Sequence, residues 1–216
     1  MSKEPKLNIL VTAGPTRVKL DPVREITNIS TGRTGYTIAR ELARKYKVTL
    51  LLGKTDLKAQ PAKDLKILTF VYFDDLKRLL KEELKHNRYK AVIHTAAVSD
   101  YKPEQIYKSK LSSGRKKLNI ILKPLPRLVK EIKKIRKSIF LVQFKLESGL
   151  SEKELAERAF QSMVKNKADL VVANDLKKIT GSRHRALIID RKKNITKVND
   201  KKSISLVLIE ALEDVF

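Results

Sequence analysis

The sequence predicts an α/β protein, a Rossmann-like doubly wound, mostly parallel sheet with helices on both faces and a C-terminal β-hairpin extension. Short apolar runs alternate with helical patterns along the chain, as in a parallel sheet covered by crossover helices. Several runs, such as 7–11 and 48–52, are rich in apolar residues that do not alternate with polar ones, which is typical of parallel strands buried on both faces. The 216 residues show no internal repeat or low-complexity linker, so we expect one domain over 1–216.

The elements follow from these patterns. Strands are predicted near 7–13, 47–53, 65–71, 90–97, 118–122, 138–145 and 169–173. Helices are predicted at 32–46, 74–86, 126–137, 151–166 and 202–213. The fourth helix opens on a capping box formed by Ser151 and Glu154, and the second is predicted to open on an aspartate cap. Residues 185–190 and 194–198 predict the hairpin, while the polar segment 99–117 predicts an irregular excursion.

Composition excludes several classes of site. The chain has no cysteine, so it has no disulfide, thiolate nucleophile or cysteine-ligated metal. Its three histidines show no metal-ligand spacing, and we predict no metal site; His94, on an apolar strand, is interpreted as a core residue with a satisfied side chain. No apolar run approaches the roughly 20 residues of a membrane span, and residues 1–6 do not resemble a signal peptide. We therefore expect a soluble, cytoplasmic protein.

The charge indicates an anionic partner. Lys and Arg number 48 against 24 Asp and Glu, so the formal net charge is 48 − 24 = +24. These cations are scattered over nearly every segment, which favours a lysine-rich solvated surface over a nucleic-acid-binding tail. A basic Rossmann-like nucleic-acid-binding protein nevertheless remains one alternative. An NAD(P)-dependent reductase is a weaker one, because the GxGxxG spacing and a Tyr followed four residues later by Lys are both missing.

Two turns are candidates for phosphate binding. The first predicted strand ends in TAGPT, which places Gly14 in the turn after strand one, where doubly wound folds often cradle phosphates. The segment STGRTG, residues 30–35, offers a hydroxyl cap and Arg33 at a helix N-terminus. Each is equally compatible with an ordinary tight turn. Three further polar motifs, at 96–101, 144–147 and 168–175, follow or end predicted strands, where ligands bind in open α/β sheets.

The ordered motifs VTAGPTR, DPVREITNISTGRTG, HTAAVSDYKP, KLSSG, FKLE and NKADLVVAND resemble the phosphopantothenoylcysteine synthetases, or phosphopantothenate–cysteine ligases, of coenzyme A biosynthesis. The resemblance covers nearly the whole chain and implies a Rossmann-like fold, a dimerisation extension and a homodimer. Because the chain begins at the synthetase motif, it is similar to the free-standing form of the family. It departs from the family at Pro15, where a second glycine is usual, and proline removes one backbone donor from that turn.

The resemblance also implies a reaction. The carboxylate of 4′-phosphopantothenate attacks a nucleoside triphosphate to give an acyl-nucleotide and pyrophosphate, and the amine of cysteine then displaces the nucleoside monophosphate. The co-substrate would be CTP or ATP, with CTP favoured, accompanied by Mg²⁺. The partners expected are therefore small molecules, a second copy of the chain, and neither a membrane nor nucleic acid.

Site residues are carried over from the family motifs. Asn28 would hold the acyl-nucleotide, and Lys110 would be the catalytic lysine, although the register leaves Lys108 as an alternative. Arg24, together with Asn28, would bind the phosphate of phosphopantothenate, to which a planar guanidinium is suited. The residues expected to contact the nucleotide are Gly14, Thr16, Ala96, Ala97, Asp100 and Phe144.

Overall fold

A computed structural model of the chain describes residues 6–114, 116–180 and 183–216. The prediction that residues 1–6 are not a signal peptide falls mostly on residues 1–5, which lie outside the described residues. The strands are β1 (Asn8–Ala13), β2 (Arg17–Lys19), β3 (Glu25–Thr27), β4 (Lys47–Gly53), β5 (Leu65–Phe70), β6 (Tyr89–His94), β7 (Tyr101–Pro103), β8 (Leu122–Pro124), β9 (Phe140–Glu147), β10 (Leu170–Thr180), β11 (Arg183–Asp190) and β12 (Ile195–Val198). The helices are α1 (Arg33–Leu42), α2 (Phe73–His86), α3 (Leu128–Ile135), α4 (Glu152–Asn166) and α5 (Lys201–Glu213).

Eight strands form the central sheet in the order β12-β11-β10-β9-β6-β1-β4-β5. The six strands from β10 to β5 are parallel, whereas β11 and β12 pair antiparallel at the end of the sheet. The chain winds from β1 towards β4 and β5 on one side, then returns to β6, β9 and β10 on the other. The predicted doubly wound sheet and C-terminal hairpin are confirmed, and the order reverses between β1 and β6, where such folds bind ligands.

The core lies on both faces of this sheet because successive strand residues point in opposite directions. Ile9 and Val11 pack with α1 and α5 on one face, and Leu10 packs with α2, α3 and α4 on the other. Each such side chain contributes about 1.5–3 kcal/mol by leaving water. Burial on both faces explains why apolar and polar residues do not alternate along these strands. In the described ranges, no helix is long and apolar enough to cross a bilayer.

The helix starts confirm one predicted cap and correct two. At α4, Ser151 accepts from the backbone N–H of Glu154, and the Glu154 carboxylate accepts from the Ser151 N–H, as the capping box predicts. The aspartate cap predicted for α2 is wrong: the N-cap is Tyr72, and Asp75 accepts from its N–H within the first turn. The hydroxyl cap predicted for α1 is corrected as well: the N-cap is Gly32, which has no side chain, and the hydroxyls of Ser30 and Thr31 accept from the N–H groups of Gly32 and Arg33, each at 3.4 Å.

The strand predicted at 118–122 is wrong in place and in partner. Pairing begins only at Leu122, where β8 joins β7 in a separate two-stranded antiparallel arm outside the central sheet. Part of the predicted excursion, Tyr101–Pro103, is therefore a strand. The apolar residues of this segment do not reach the core, since Ile120 and Ile121 are 37% and 68% exposed. A second small hairpin, β2–β3, was not predicted, because its strands have only three residues each.

Candidate active-site cleft

Two loops meet at the carboxyl ends of β1 and β6. The carbonyl of Gly14 accepts from the N–H of Ala97 at 2.9 Å, and the N–H of Thr16 donates to the carbonyl of Ala97 at 3.2 Å. Pro15, which has no N–H, lies between these two bonds and forms a parallel β-bridge with Ala97 through them. The missing donor of Pro15 therefore breaks no hydrogen bond of this junction.

Thr16 is fully buried beneath the junction. Its hydroxyl accepts from the backbone N–H of Ser99 at 2.8 Å and lies 3.0 Å from the Ser99 hydroxyl. In this geometry Thr16 fixes the loop that follows β6, and a nucleotide contact by Thr16 itself stays a prediction.

The first turn packs against the start of α1. Gly14 has φ +79°, and a Cβ there would lie 3.0 Å from the backbone N and O of Gly53. Gly32 has φ +71°, and its Cβ would approach the Cα of Gly14 to 3.5 Å. The two glycines thus bring the turn and the helix start close together. The N–H of Arg33, the first residue of α1, donates to the Thr31 hydroxyl at 3.4 Å, and the positive end of the helix dipole favours an anion near this turn.

Asn28 follows β3 and is exposed. Its side-chain amide donates to the carbonyl of Val98 at 3.0 Å. Val98 belongs to the wall of the cleft described below, so this bond links Asn28 to the edge of the cleft.

Arg24 is held by a buried carboxylate. Its Nη1 donates to Asp21 at 2.6 Å and to the carbonyl of Leu111 at 3.0 Å. Burial alone would raise the pKa of Asp21, but bonds from the backbone N–H groups of Leu111 and Val23 and from the Arg24 guanidinium lower this pKa to about 2. Arg24 therefore clamps the loop beside Lys110. Nη1 of Arg24 is engaged in this clamp, and the predicted contact of Arg24 with a substrate phosphate stays a prediction.

Lys110 and Lys108 are both exposed on that loop. Within the described part of the chain neither ammonium makes a hydrogen bond or an ion pair. The clamp fixes the backbone at Leu111, one residue after Lys110 and three after Lys108. Lys110 is therefore nearer than Lys108 to the backbone that the clamp holds at Leu111, and both lysines stay candidates for the catalytic lysine.

A cleft of about 430 Å³ lies beside the carboxyl end of β6, between the sheet and helices α3 and α4. Three of the predicted nucleotide contacts, Ala96, Asp100 and Phe144, border it, and their contact with a nucleotide stays a prediction. Asp100 is exposed, and its backbone carbonyl accepts from the N–H of Leu125 at 2.8 Å, which ties the loop after β6 to the start of α3. Phe144 borders the cleft and also packs against the core on the other face of the sheet.

The structure does not bring every predicted residue to this cleft. Gly14, Thr16 and Ala97 form the junction beside it, and Arg24, Asn28 and Lys110 are also not among its lining residues. The predicted site is thus divided into three groups: one at the cleft, one at the junction, and one on the segments 21–28 and 108–111.

Sequence reasoning missed a second set of lining residues. Four polar residues that were not predicted also line the cleft on the side of β6, β9 and α4, and we call them the floor. They are His94, Gln143, Ser162 and Asn166. One signal was available, because Gln143 interrupts the apolar run FLVQF of β9. The interpretation of His94 as a core residue is confirmed in part: it is 8% exposed and its Nδ1 bonds to Thr12 at 2.9 Å, but the ring also borders the cleft. Among the described residues, no three His, Cys, Asp or Glu side chains gather as a metal site.

These features define a Rossmann-like α/β protein with a cleft at the carboxyl ends of β6 and β9, next to the point where the strand order reverses. The sequence matches, over residues 5–215, the family described as the DNA/pantothenate metabolism flavoprotein C-terminal domain. The chain belongs to this family.

Similar proteins are found among curated sequences and solved structures. The coenzyme A biosynthesis bifunctional protein CoaBC of Thermococcus kodakarensis is 35% identical over 184 residues, which cover 85% of this chain and 45% of that protein. The chain spans about half the length of the curated relatives it matches. The crystal structure of the DNA/pantothenate metabolism flavoprotein from Streptococcus pneumoniae is 32% identical, with a TM-score of 0.88 over 97% of this chain and all of that one. The C-terminal domain of a CoaBC protein is 26% identical, with a TM-score of 0.78 over 98% of this chain and 96% of that one.

Proposed function

We propose that this chain joins 4′-phosphopantothenate to cysteine through an acyl-nucleotide, releasing pyrophosphate and a nucleoside monophosphate. Family membership and relatives in coenzyme A biosynthesis support the pathway. The observation that supports the chemistry best is that the loop after β6 borders the cleft and is bonded to Gly14 and to Asn28, so two segments with family motifs are held beside the cleft.

The activation step must bring a carboxylate to an anionic phosphate. Two unit charges about 4 Å apart repel by about 4 kcal/mol at an effective dielectric of 20, so cations and hydrogen-bond donors have to converge there. Lys110 would supply a mobile positive charge for the α-phosphate and the departing pyrophosphate. Asn28 would donate to the acyl phosphate without adding charge, and the start of α1 would add its dipole.

The co-substrate is proposed to be CTP, with ATP as the alternative, and Mg²⁺ would enter bound to its phosphates. Magnesium commonly binds through substrate phosphates with few protein ligands, and a triphosphate carries enough charge to bring its own ion. Pyrophosphate release in the presence of phosphopantothenate and cysteine, measured with CTP and with ATP at equal concentration, tests the reaction and the nucleotide together. Tight RNA binding at physiological salt with no pyrophosphate released from any mixture would instead favour the nucleic-acid-binding alternative.

We further propose that the chain acts as a homodimer with shared sites. The division of the predicted site supports this, because Lys110 does not line the cleft of its own protomer. The β7–β8 arm and the loop between its two strands expose apolar side chains that a partner could cover. These are Tyr101, Ile106, Leu118, Ile120, Ile121 and Leu122.

Mixing two inactive variants tests the shared site. Asn28→Asp places a negative charge where the acyl phosphate needs donors, and Lys110→Gln removes the positive charge. If each site takes these residues from different subunits, subunit exchange should restore up to a quarter of the activity, because some heterodimer sites carry neither defect. A monomer in light scattering would refute the shared site, and exchanged dimers that stay inactive would refute a site that takes Asn28 and Lys110 from different subunits. The reaction itself is left to the pyrophosphate assay.

A further inference from the structure

Residues 107–111, here called the lysine segment, carry both candidates for the catalytic lysine. They belong to the mostly exposed stretch 104–121, in which only Tyr107 and Leu111 of the described residues are not exposed. Both are bonded to the turn between β2 and β3. The N–H of Tyr107 donates to the carbonyl of Leu20 at 2.9 Å, and the N–H of Leu111 donates to a carboxylate of the same turn. The lysines therefore lie on a short segment that is held at both ends.

The carboxylate that holds Leu111 is that of Asp21, whose side chain is fully buried. Its Oδ1 accepts from the backbone N–H groups of Val23 and Arg24, both at 2.8 Å, which closes the turn. Its Oδ2 accepts from the N–H of Leu111 at 3.1 Å and from Nη1 of Arg24 at 2.6 Å. The two oxygens thus have separate partners, one set within the turn and one at the lysine segment.

The turn alone does not require a buried charge. Asparagine or serine closes the same kind of turn with one oxygen, and an ionised carboxylate is costly to bury. Burial raises the pKa of Asp21, but the bonds from Leu111, Val23 and Arg24 lower it to about 2, so the group is ionised at pH 7. The second oxygen binds two donors, and one of them, the Arg24 guanidinium, also donates to the Leu111 carbonyl at 3.0 Å. The buried charge therefore fixes the backbone next to Lys110.

We propose that Asp21 is a positioning residue for the activation step, because it holds the lysine segment where Lys110, or Lys108 in the alternative register, meets the triphosphate. This inference rests on the proposed function, which assigns a lysine to the α-phosphate. Asp21 is buried and lines neither the cleft nor its floor, so it acts through the segment and not on a reactant. A misplacement of about 1 Å at a reacting group costs about 10²-fold in rate, and the bond to Leu111 lies one residue from Lys110.

Asp21→Asn separates the two sets of bonds. The amide keeps one oxygen for the turn and places an amino group against the N–H of Leu111 and the guanidinium of Arg24, which are both donors. The attachment of the lysine segment is therefore lost while the turn stays closed. We expect kcat for pyrophosphate release, with phosphopantothenate, cysteine and the nucleotide that the unmodified protein uses, to fall by about 10²-fold. The KM for that nucleotide should stay unchanged, because the cleft is intact.

Asp190→Asn is the matched control. Asp190 closes the turn between β11 and β12 in a similar way, since its Oδ1 accepts from the backbone N–H groups of Lys192 and Asn194 and its Oδ2 from the Asn194 amide. It pairs with Leu170 at the amino end of β10, whereas the cleft lies at the carboxyl ends of the strands. Asp190→Asn should therefore keep the kcat of the unmodified protein, whatever its melting temperature.

A double variant shows whether Asp21 acts through a lysine. If it does, Asp21→Asn combined with Lys110→Gln should be no slower than Lys110→Gln alone, or the same should hold with Lys108→Gln. Losses that multiply with both lysine variants, or an unchanged kcat in Asp21→Asn, would overturn the proposal.

Asp21→Ser tests the same point if Asp21→Asn does not fold, because a serine hydroxyl closes such a turn and brings no amino group against the two donors. Failure of both variants to fold would assign the carboxylate to the fold itself and would also overturn the proposal. If the unmodified protein releases no pyrophosphate, the ligase function is refuted and this role with it. Release by the unmodified protein that Asp21→Asn leaves unchanged refutes the positioning role alone, so the two failures are distinguishable.

Discussion

Removing the carboxylate of Asp169 should destabilise the protein without altering nucleotide binding. Although Asp169 belongs to the motif NKADLVVAND, its side chain is used inside the fold. It accepts from Lys133 at 2.7 Å, from Arg191 at 2.9 Å and from the backbone N–H of Leu141 at 2.8 Å. These bonds fasten α3 and the start of β10 to β9, at the end of the sheet opposite the cleft.

The expected loss follows from the burial of the pair. The side chains of Lys133 and Asp169 are 12% and 18% exposed, and breaking a buried pair costs about 3–5 kcal/mol because one charge is left unpaired. We use the lower end, about 3 kcal/mol, because the Lys133 ammonium keeps a bond to the Ile139 carbonyl at 2.7 Å. For a protein of this size each kcal/mol lowers the melting temperature by about 2–4 °C, so Asp169→Ala should melt about 6–12 °C lower.

Calorimetric or circular-dichroism melting at pH 7 measures this loss, and the neighbouring pair on the same helix provides the control. Lys134 and Glu131 are 70% and 34% exposed, so Glu131→Ala should cost less than about 1 kcal/mol. A double-mutant cycle with Lys133→Met should show coupling, because that variant removes the charge that Asp169→Ala strands. An Asp169→Ala protein that melts within 2 °C of the unmodified protein, or that loses no more than Glu131→Ala, would refute the reasoning.

Lys110→Gln should slow pyrophosphate release by about 10²–10³, the effect of losing one stabilising donor, and a similar loss in Lys108→Gln alone would move the catalytic lysine by two positions. Lys167 ends α4 with φ +57°, so Lys167→Gly should raise the melting temperature by about 1–4 °C, whereas Lys165→Gly in the last helical turn should lower it. Burial lowers the pKa of His94 and of His184 to about 4, below the ordinary value of about 6.5. Between pH 4 and 6.5 the unfolded chain therefore binds more protons than the folded chain, so the free energy of unfolding should fall as the pH is lowered through this range. The fall should be smaller in His94→Met, and a free energy of unfolding that does not change with pH would contradict this reasoning.

The features that the sequence predicted are those encoded locally. Runs of mostly apolar residues predicted the parallel strands. Their alternation with helical patterns predicted the doubly wound sheet. Ser151 and Glu154 stand three residues apart, so the cap of α4 needs no other part of the chain. Gly14 stands in the turn after the first strand, and its positive φ confirms that this turn has the tight geometry expected there.

Short-range patterns failed where a partner was distant or weakly marked. The run 118–122 has the composition of a strand, but its apolar side chains are exposed because β8 pairs with β7 outside the central sheet. The hydroxyl cap predicted for α1 was displaced because the N-cap position is Gly32 with φ +71°, a backbone conformation that residues with a side chain rarely adopt.

The sequence by itself therefore determined the fold class, most elements and the loops where ligand-binding residues gather, because periodicity and turn chemistry act within a few residues. Only the tertiary structure decided what each polar side chain does. Arg24 meets Leu111 from 87 positions away, and Asn166 meets Gln143 from 23 positions away. Whether a buried amide, imidazole or carboxylate is satisfied depends on such distant partners. Folding consequently turned Asp169 inward, committed Arg24 to a clamp and joined Asn166 to Gln143 beside the cleft.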